Sequence, residues 1–131
     1  MSDFELVAMN VFAEIFPNAR VKGRLFHWAQ AVWRNVVDRG LRQQFDQDEE
    51  IRKCVQQLIA LPFVPTADVI DVFDQLSADA PEGRAIDSLF DYVERTFIRG
   101  RRGPARYGVE VWNVYELVVE KLQRTNNVVE G

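Results

Sequence analysis

Apolar residues recur along most of this chain at the spacing of one helical face. Over residues 3–16, Phe4, Ala8, Val11, Phe12, Ile15 and Phe16 form one stripe, with Asp3 as N-cap and Pro17-Asn18 as the stop. Residues 19–25, Ala-Arg-Val-Lys-Gly-Arg-Leu, alternate instead, and a short strand that Gly23 weakens is expected there. Helical period returns over residues 26–39 through Phe26, Ala29, Trp33 and Val36 or Val37, and Gly40 suits the first position beyond the helix. A third helix is expected over 47–60 on Ile51, Val55, Leu58 and Ile59. Its first turn carries Asp48, Glu49 and Glu50, which complement the helix dipole. Leu61-Pro62-Phe63-Val64-Pro65 is an apolar elbow bounded by prolines. Thr66 then reads as the N-cap of a fourth helix, with Val69, Val72, Phe73 and Leu76 inward.

After a loop at Ala80-Pro81-Glu82-Gly83, residues 84–98 predict a fifth helix with Ile86, Leu89, Phe90, Val93 and Phe97 inward. Residues 99–108, Arg-Gly-Arg-Arg-Gly-Pro-Ala-Arg-Tyr-Gly, break the periodicity and read as an exposed loop. Residues 109–123 mix strand and helix character, with a second short strand expected near 109–115, and Thr125-Asn126-Asn127 reads as a capping cluster. The fold class is therefore mainly α with one or two short strands.

Composition narrows the functions such a fold can carry. With 16 basic and 20 acidic side chains the net charge is −4, which excludes coating nucleic acid through bulk charge but leaves room for a local basic patch. No apolar run approaches the roughly 18 residues of a spanning helix, and no signal peptide is visible, so the chain is expected inside the cell and off the membrane. A single cysteine, Cys54, and a single histidine, His27, exclude an internal disulfide and a cysteine-based zinc site within one chain. The acidic run Asp46, Asp48, Glu49, Glu50 is more simply dipole-complementing charge than a metal cluster.

Two stretches at opposite ends go beyond periodicity. The first is Asp3-Phe4-Glu5-Leu6, followed by Phe16-Pro17-Asn18-Ala19 and Gly23-Arg24-Leu25-Phe26-His27-Trp28-Ala29-Gln30-Ala31-Val32-Trp33-Arg34. The second is Arg124-Thr125-Asn126-Asn127-Val128-Val129-Glu130-Gly131. Between them lie Ile51-Arg52, Leu58-Ile59-Ala60-Leu61-Pro62-Phe63-Val64-Pro65, Asp91-Tyr92-Val93 and Trp112. In this order and spacing they resemble the Mutator-like element (MULE) transposase domain of eukaryotic DNA transposons, over essentially the whole chain.

The resemblance implies a ribonuclease-H-like α/β parent fold and a DDE triad of acids. Cutting a phosphodiester and joining a 3′ hydroxyl to a new phosphate is an in-line displacement served by two divalent metals that stabilise the attacking and leaving oxygens, and hard Mg²⁺ prefers carboxylate ligands. Carried over by position, Asp3 matches the second acid and Glu130 the third, both as catalytic and metal-ligating positions of a complete domain. His27, Asn126 and Asn127 fall near the site. The first acid has no counterpart, and Arg24 stands where the family commonly has a cysteine before His27.

The resemblance divides the chain into the end of the ribonuclease-H-like core (1–25), a helical insertion (26–108) and a return towards the glutamate (109–131). It implies a C-terminal fragment or relic, inactive alone, with apolar faces at 4–16 and 19–25 left exposed. Mg²⁺ or Mn²⁺ is the implied cofactor, with none expected on this stretch alone. DNA is the implied partner, together with another copy or a complementing chain, and the nucleus the implied compartment.

For DNA contact the candidates are Arg99, Arg101, Arg102 and Arg106, because arginine forks suit phosphate oxygens and glycine lets the backbone approach. Their bland alternative is a solvated loop, and Trp28, Trp33 and Trp112 are read as packing residues rather than base-stacking platforms. Two further readings compete with the ancestral one. One is a domesticated, non-catalytic helical module, with its own core over 26–98, that binds DNA or protein. The other is an unrelated helical signalling domain, which requires the terminal motifs to be coincidence.

Overall fold

The computed structural model describes the backbone of residues 19–130 and the side chains of residues 19–124. The N-terminal stripe over 3–16, with Asp3, lies outside the described residues. The described part is helical, in the order α1 (Ala19–Asp38), α2 (Arg42–Gln47), α3 (Glu49–Ile59), α4 (Val69–Asp79), α5 (Arg84–Val93), α6 (Val109–Trp112) and α7 (Tyr115–Glu130). Two 3₁₀ turns, Leu61–Phe63 and Thr66–Asp68, join α3 to α4, and a π-helical turn, Glu94–Ile98, extends α5.

Among the described residues there is no strand, so both expected strands are corrected. Residues 19–25 are the first two turns of α1. Val21 and Leu25 are spaced for a helical face as well as a strand face, and Trp28, Ala29, Val32, Trp33 and Val36 continue the helical one without a break. Gly23 is tolerated inside the helix because the packing of its neighbours outweighs about 1 kcal/mol of lost propensity. The face is accordingly rotated from the expected stripe: Phe26 is 51% exposed while Trp28 and Val32 are buried. Residues 109–115 form α6 and an extended link at Asn113.

Chain breaks follow local chemistry. Gly40 adopts φ 72°, its N–H bonds to the Val37 carbonyl at 3.0 Å, and Leu41 N–H reaches back to Val36 at 2.9 Å. This is a Schellman end to α1, with the buried Leu41 folded against it. The helix expected over 47–60 is α3, and a further short helix, α2, precedes it. Asp48 is extended and accepts from the N–H groups of Glu50 and Ile51, capping α3. Thr66 is not an N-cap: it opens a 3₁₀ turn and its hydroxyl donates to Asn113 Oδ1 at 3.3 Å. Nor do Thr125, Asn126 and Asn127 start a new element, because α7 runs through them.

The main core gathers Trp28, Trp33, Phe45, Leu58, Phe73, Leu89, Phe90 and Phe97 with their aliphatic neighbours, and Trp112 completes it from the far end of the sequence. A second cluster joins Val21 and Leu25 of α1 to Val114, with Phe63, Leu117 and Val118 packed against it. Residues 19–25 therefore do not present the exposed apolar face expected of them: Val21 is 1% and Leu25 4% exposed. The elbow is pinned to the same place, where Val114 N–H bonds to the Pro62 carbonyl at 2.9 Å and Asn113 Nδ2 donates to Val64 at 2.8 Å.

Candidate functional site

The arginine loop follows directly from the π turn. Arg99 N–H bonds to Glu94 and Tyr107 N–H bonds to Thr96, each at 2.8 Å, so the loop leaves and rejoins the helical body at fixed points. A Cβ on Gly100 would stand 2.7 Å from the Pro104 carbonyl oxygen, so glycine lets the loop close this tightly.

The four candidate arginines are not equivalent. Arg99 pairs with Asp74 and, at 2.9 Å, with Glu94. Partial burial opposes its charge, the two carboxylates outweigh that, and its pKa is raised. Its fork is thus engaged by two carboxylates at the surface of the fold. Asp91 holds Arg95 at 2.7 Å and lies 3.9 Å from Arg101, which stays largely exposed. Among the described residues neither Arg102 nor Arg106 is in an ion pair, and Arg106 instead lies over the Tyr107 ring, 5.4 Å from its centre.

Beside this loop is a cleft of about 390 Å³. Arg24, His27 and Ala31 line it from α1, Tyr92 from α5, Phe97 from the π turn, and Tyr107, Val111 and Trp112 from the return segment. Its floor is the buried trio Trp28, Trp112 and Phe97, and its rim includes the exposed His27, Tyr107 and Val111. Arg24, one turn before His27, donates to the carbonyls of Glu110 at 3.0 Å and Asn113 at 2.7 Å. Arg24 thereby ties α1 to α6 and the link that follows it. His27 meets Phe26 edge-on at 5.8 Å.

Sequence reasoning singled out His27 and the loop arginines but not the cleft that adjoins both. Nothing in residue spacing announces it, because its walls come from segments dozens of residues apart. Tyr107, next to Arg106 in the basic run, was the one local hint.

Asp3 lies outside the described residues. Glu130, Asn126 and Asn127 belong to the backbone of α7, with side chains outside the described set. Among the described residues no group of three His, Cys, Asp or Glu side chains could hold a metal ion, so Mg²⁺ or Mn²⁺ remains an implication of Asp3 and Glu130 alone. No described helix is long and apolar enough to cross a membrane. No protein-family model, curated protein or solved structure matches the chain.

Proposed function

We propose that this chain belongs to a DDE transposase of the Mutator-like type, and that its helical body is the segment between the second and third acids. DNA transposition by metal-assisted phosphoryl transfer is the activity it serves. The motif order from Asp3 to Glu130 supports the family. The observation that carries the reading is the meeting of α1 with the start of α7: Val21 and Leu25 pack with Val114, Leu117 and Val118. A segment inserted between two acids of one site has to return to where it left. The contact between α1 and the start of α7 supports such a return.

Within this reading the exposed arginines of the loop contact DNA phosphates, Arg101, Arg102 and Arg106 more than the ion-paired Arg99. The chain assigns no residue to the first acid, so it does not cleave DNA unaided. A domesticated module that binds without catalysis is the second reading, favoured by the core that residues 28–112 close around themselves.

The test uses the purified chain and duplex DNA. Binding should weaken steeply with salt, and replacing Arg101, Arg102 and Arg106 with alanine should lower the log–log salt slope by about one per lost contact. Binding that ignores these arginines refutes the DNA face and favours a protein partner. Mg²⁺- or Mn²⁺-dependent strand cleavage lost in Asp3→Ala would overturn the claim of inactivity. At the gene, an in-frame strand bearing an aspartate ahead of Asp3 supports the catalytic ancestry, and stop codons there support a relic.

A further inference from the structure

The tip of the arginine loop holds two guanidinium groups away from the body of the fold. The loop closes where Gly100 meets Pro104, and Arg101, Arg102 and Gly103 between them are all exposed. The Arg-Arg pair therefore sits at the apex of a turn, with Gly100 before it and Gly103 after it. These two arginines are also the least engaged. The side chain of Arg101 is 73% exposed, and its ion pair with Asp91 is 3.9 Å long. Arg102 is in no ion pair among the described residues. Arg99 also adjoins Gly100, but Asp74 and Glu94 hold it. Arg106 stands between Ala105 and Tyr107 and lies over the Tyr107 ring.

This arrangement suits an enzyme that draws an arginine into a narrow active site. The guanidinium has to leave its surroundings, which is hardest where carboxylates hold it. Neighbouring side chains have to clear the rim of that site, and glycine has none. The reaction is methyl transfer from the sulfonium of S-adenosylmethionine. An Nη lone pair attacks the methyl carbon, the N–C bond forms as the C–S bond breaks, and the sulfonium becomes a thioether. One Nη proton passes to a carboxylate of the transferase, so the guanidinium keeps its single positive charge. We propose that Arg101 and Arg102 are acceptors for a protein arginine methyltransferase, selected over Arg99 and Arg106 by the turn and the ion pairs. The assignment is independent of the DNA reading, and only its consequence rests on it. A methylated fork keeps its charge but loses donors for bidentate contact. The loop's hold on phosphate then weakens while its salt dependence stays the same.

The experiment incubates the full chain with a recombinant type I arginine methyltransferase and S-adenosylmethionine carrying an isotopically labelled methyl group. Peptide mass spectrometry maps the label, and a glycine–arginine-rich peptide in a parallel reaction verifies that the enzyme is active. Label on Arg101 and on Arg102 should exceed that on Arg99 by at least about fivefold, the ratio expected if two exposed ion pairs open first. Arg101→Lys with Arg102→Lys keeps the charge and should remove most of the label. Asp74→Ala, at an exposed position, frees Arg99 and should raise its label severalfold, with thermal melts checking that the variant folds. A chain left unlabelled while the peptide is modified overturns the proposal. Label spread evenly over Arg99, Arg101, Arg102 and Arg106 also overturns it, because the turn and the ion pairs would then select nothing. On duplex DNA the methylated chain should bind about two- to threefold more weakly than the unmethylated one. Label confined to Arg101 and Arg102 with unchanged DNA affinity, or with no DNA binding at all, supports the acceptor site and counts against the DNA reading.

Discussion

Trp28 and Trp112 lie face to face, with ring centres 4.2 Å apart and planes 21° from parallel. Phe97 meets Trp28 edge-on at 4.8 Å, so three distant segments share one aromatic contact. A helix as short as α6 has no stability of its own and is held by this stack and by Arg24. Trp112→Ala should therefore lower the unfolding free energy by about 3–5 kcal/mol, and Trp28→Ala by a similar amount. The double variant should cost less than the sum, because the two cavities merge. Urea unfolding measures all three, and a loss below about 1 kcal/mol for Trp112→Ala would contradict the placement.

Asn113 is the buried polar residue on which the elbow and the last helix converge, at 5% exposure. Its Nδ2 donates to Val64, and its Oδ1 accepts from the Tyr115 N–H at 2.9 Å and from the Thr66 hydroxyl. Asn113→Leu keeps the volume but leaves these groups without their partner, at about 1–3 kcal/mol for each group left unsatisfied. The expected readout is a lower melting temperature together with faster hydrogen exchange at the Tyr115 amide. An unchanged exchange rate there would show that the side chain does not cap α7.

Gly40 adopts a left-handed conformation with open space around the position of a Cβ. Gly40→Ala should thus cost only the backbone strain, about 1–2 kcal/mol, with no repacking of the core. Gly40→Asn should recover part of that loss, since asparagine tolerates this region better. Chemical denaturation of the two variants measures the difference, and equal stabilities for alanine and asparagine would point to a different cause.

Burial of Cys54 in α3 raises its thiol from the ordinary 9.0 to about 11. The folded state therefore holds the proton more tightly than the unfolded chain, and the contribution is fully present below about pH 9. It is lost as pH rises towards 11, so stability should fall across that window more steeply in the parent than in Cys54→Ala. Parallel pH–stability curves would show that the thiol is not buried from water. Slow reaction with a thiol reagent in the folded state, accelerated by urea, provides an independent check.

The helices between residues 26 and 98 were legible because apolar residues at helical spacing need no knowledge of their partners. The ends of elements were legible where the chemistry is local, as at Gly40 and Gly83, whereas Asp48 was read as a first-turn charge and is the cap of α3. Residues 19–25 misled because Val21 and Leu25 satisfy the strand and helix periods alike, and the deciding surface, Val114 with Leu117, lies far along the chain. The short helices α2 and α6 are too brief to show a period at all. For the candidate site, His27 and the arginine run could be picked out by residue type. Which of the loop arginines is held in ion pairs could not, since Asp74 claims Arg99 from α4 together with the nearby Glu94.

The sequence by itself determined that the chain is mainly helical, that its net charge is −4, and that residues 99–108 hold a cluster of arginines. Those are properties of composition and of spacing within single elements. Tertiary structure decided that the first described helix begins beside the last one, that Trp112 closes a core begun at Trp28, and that an aromatic cleft opens next to the loop. Each depends on contacts between residues far apart in the chain, whose burial free energy is settled only when the helices pack.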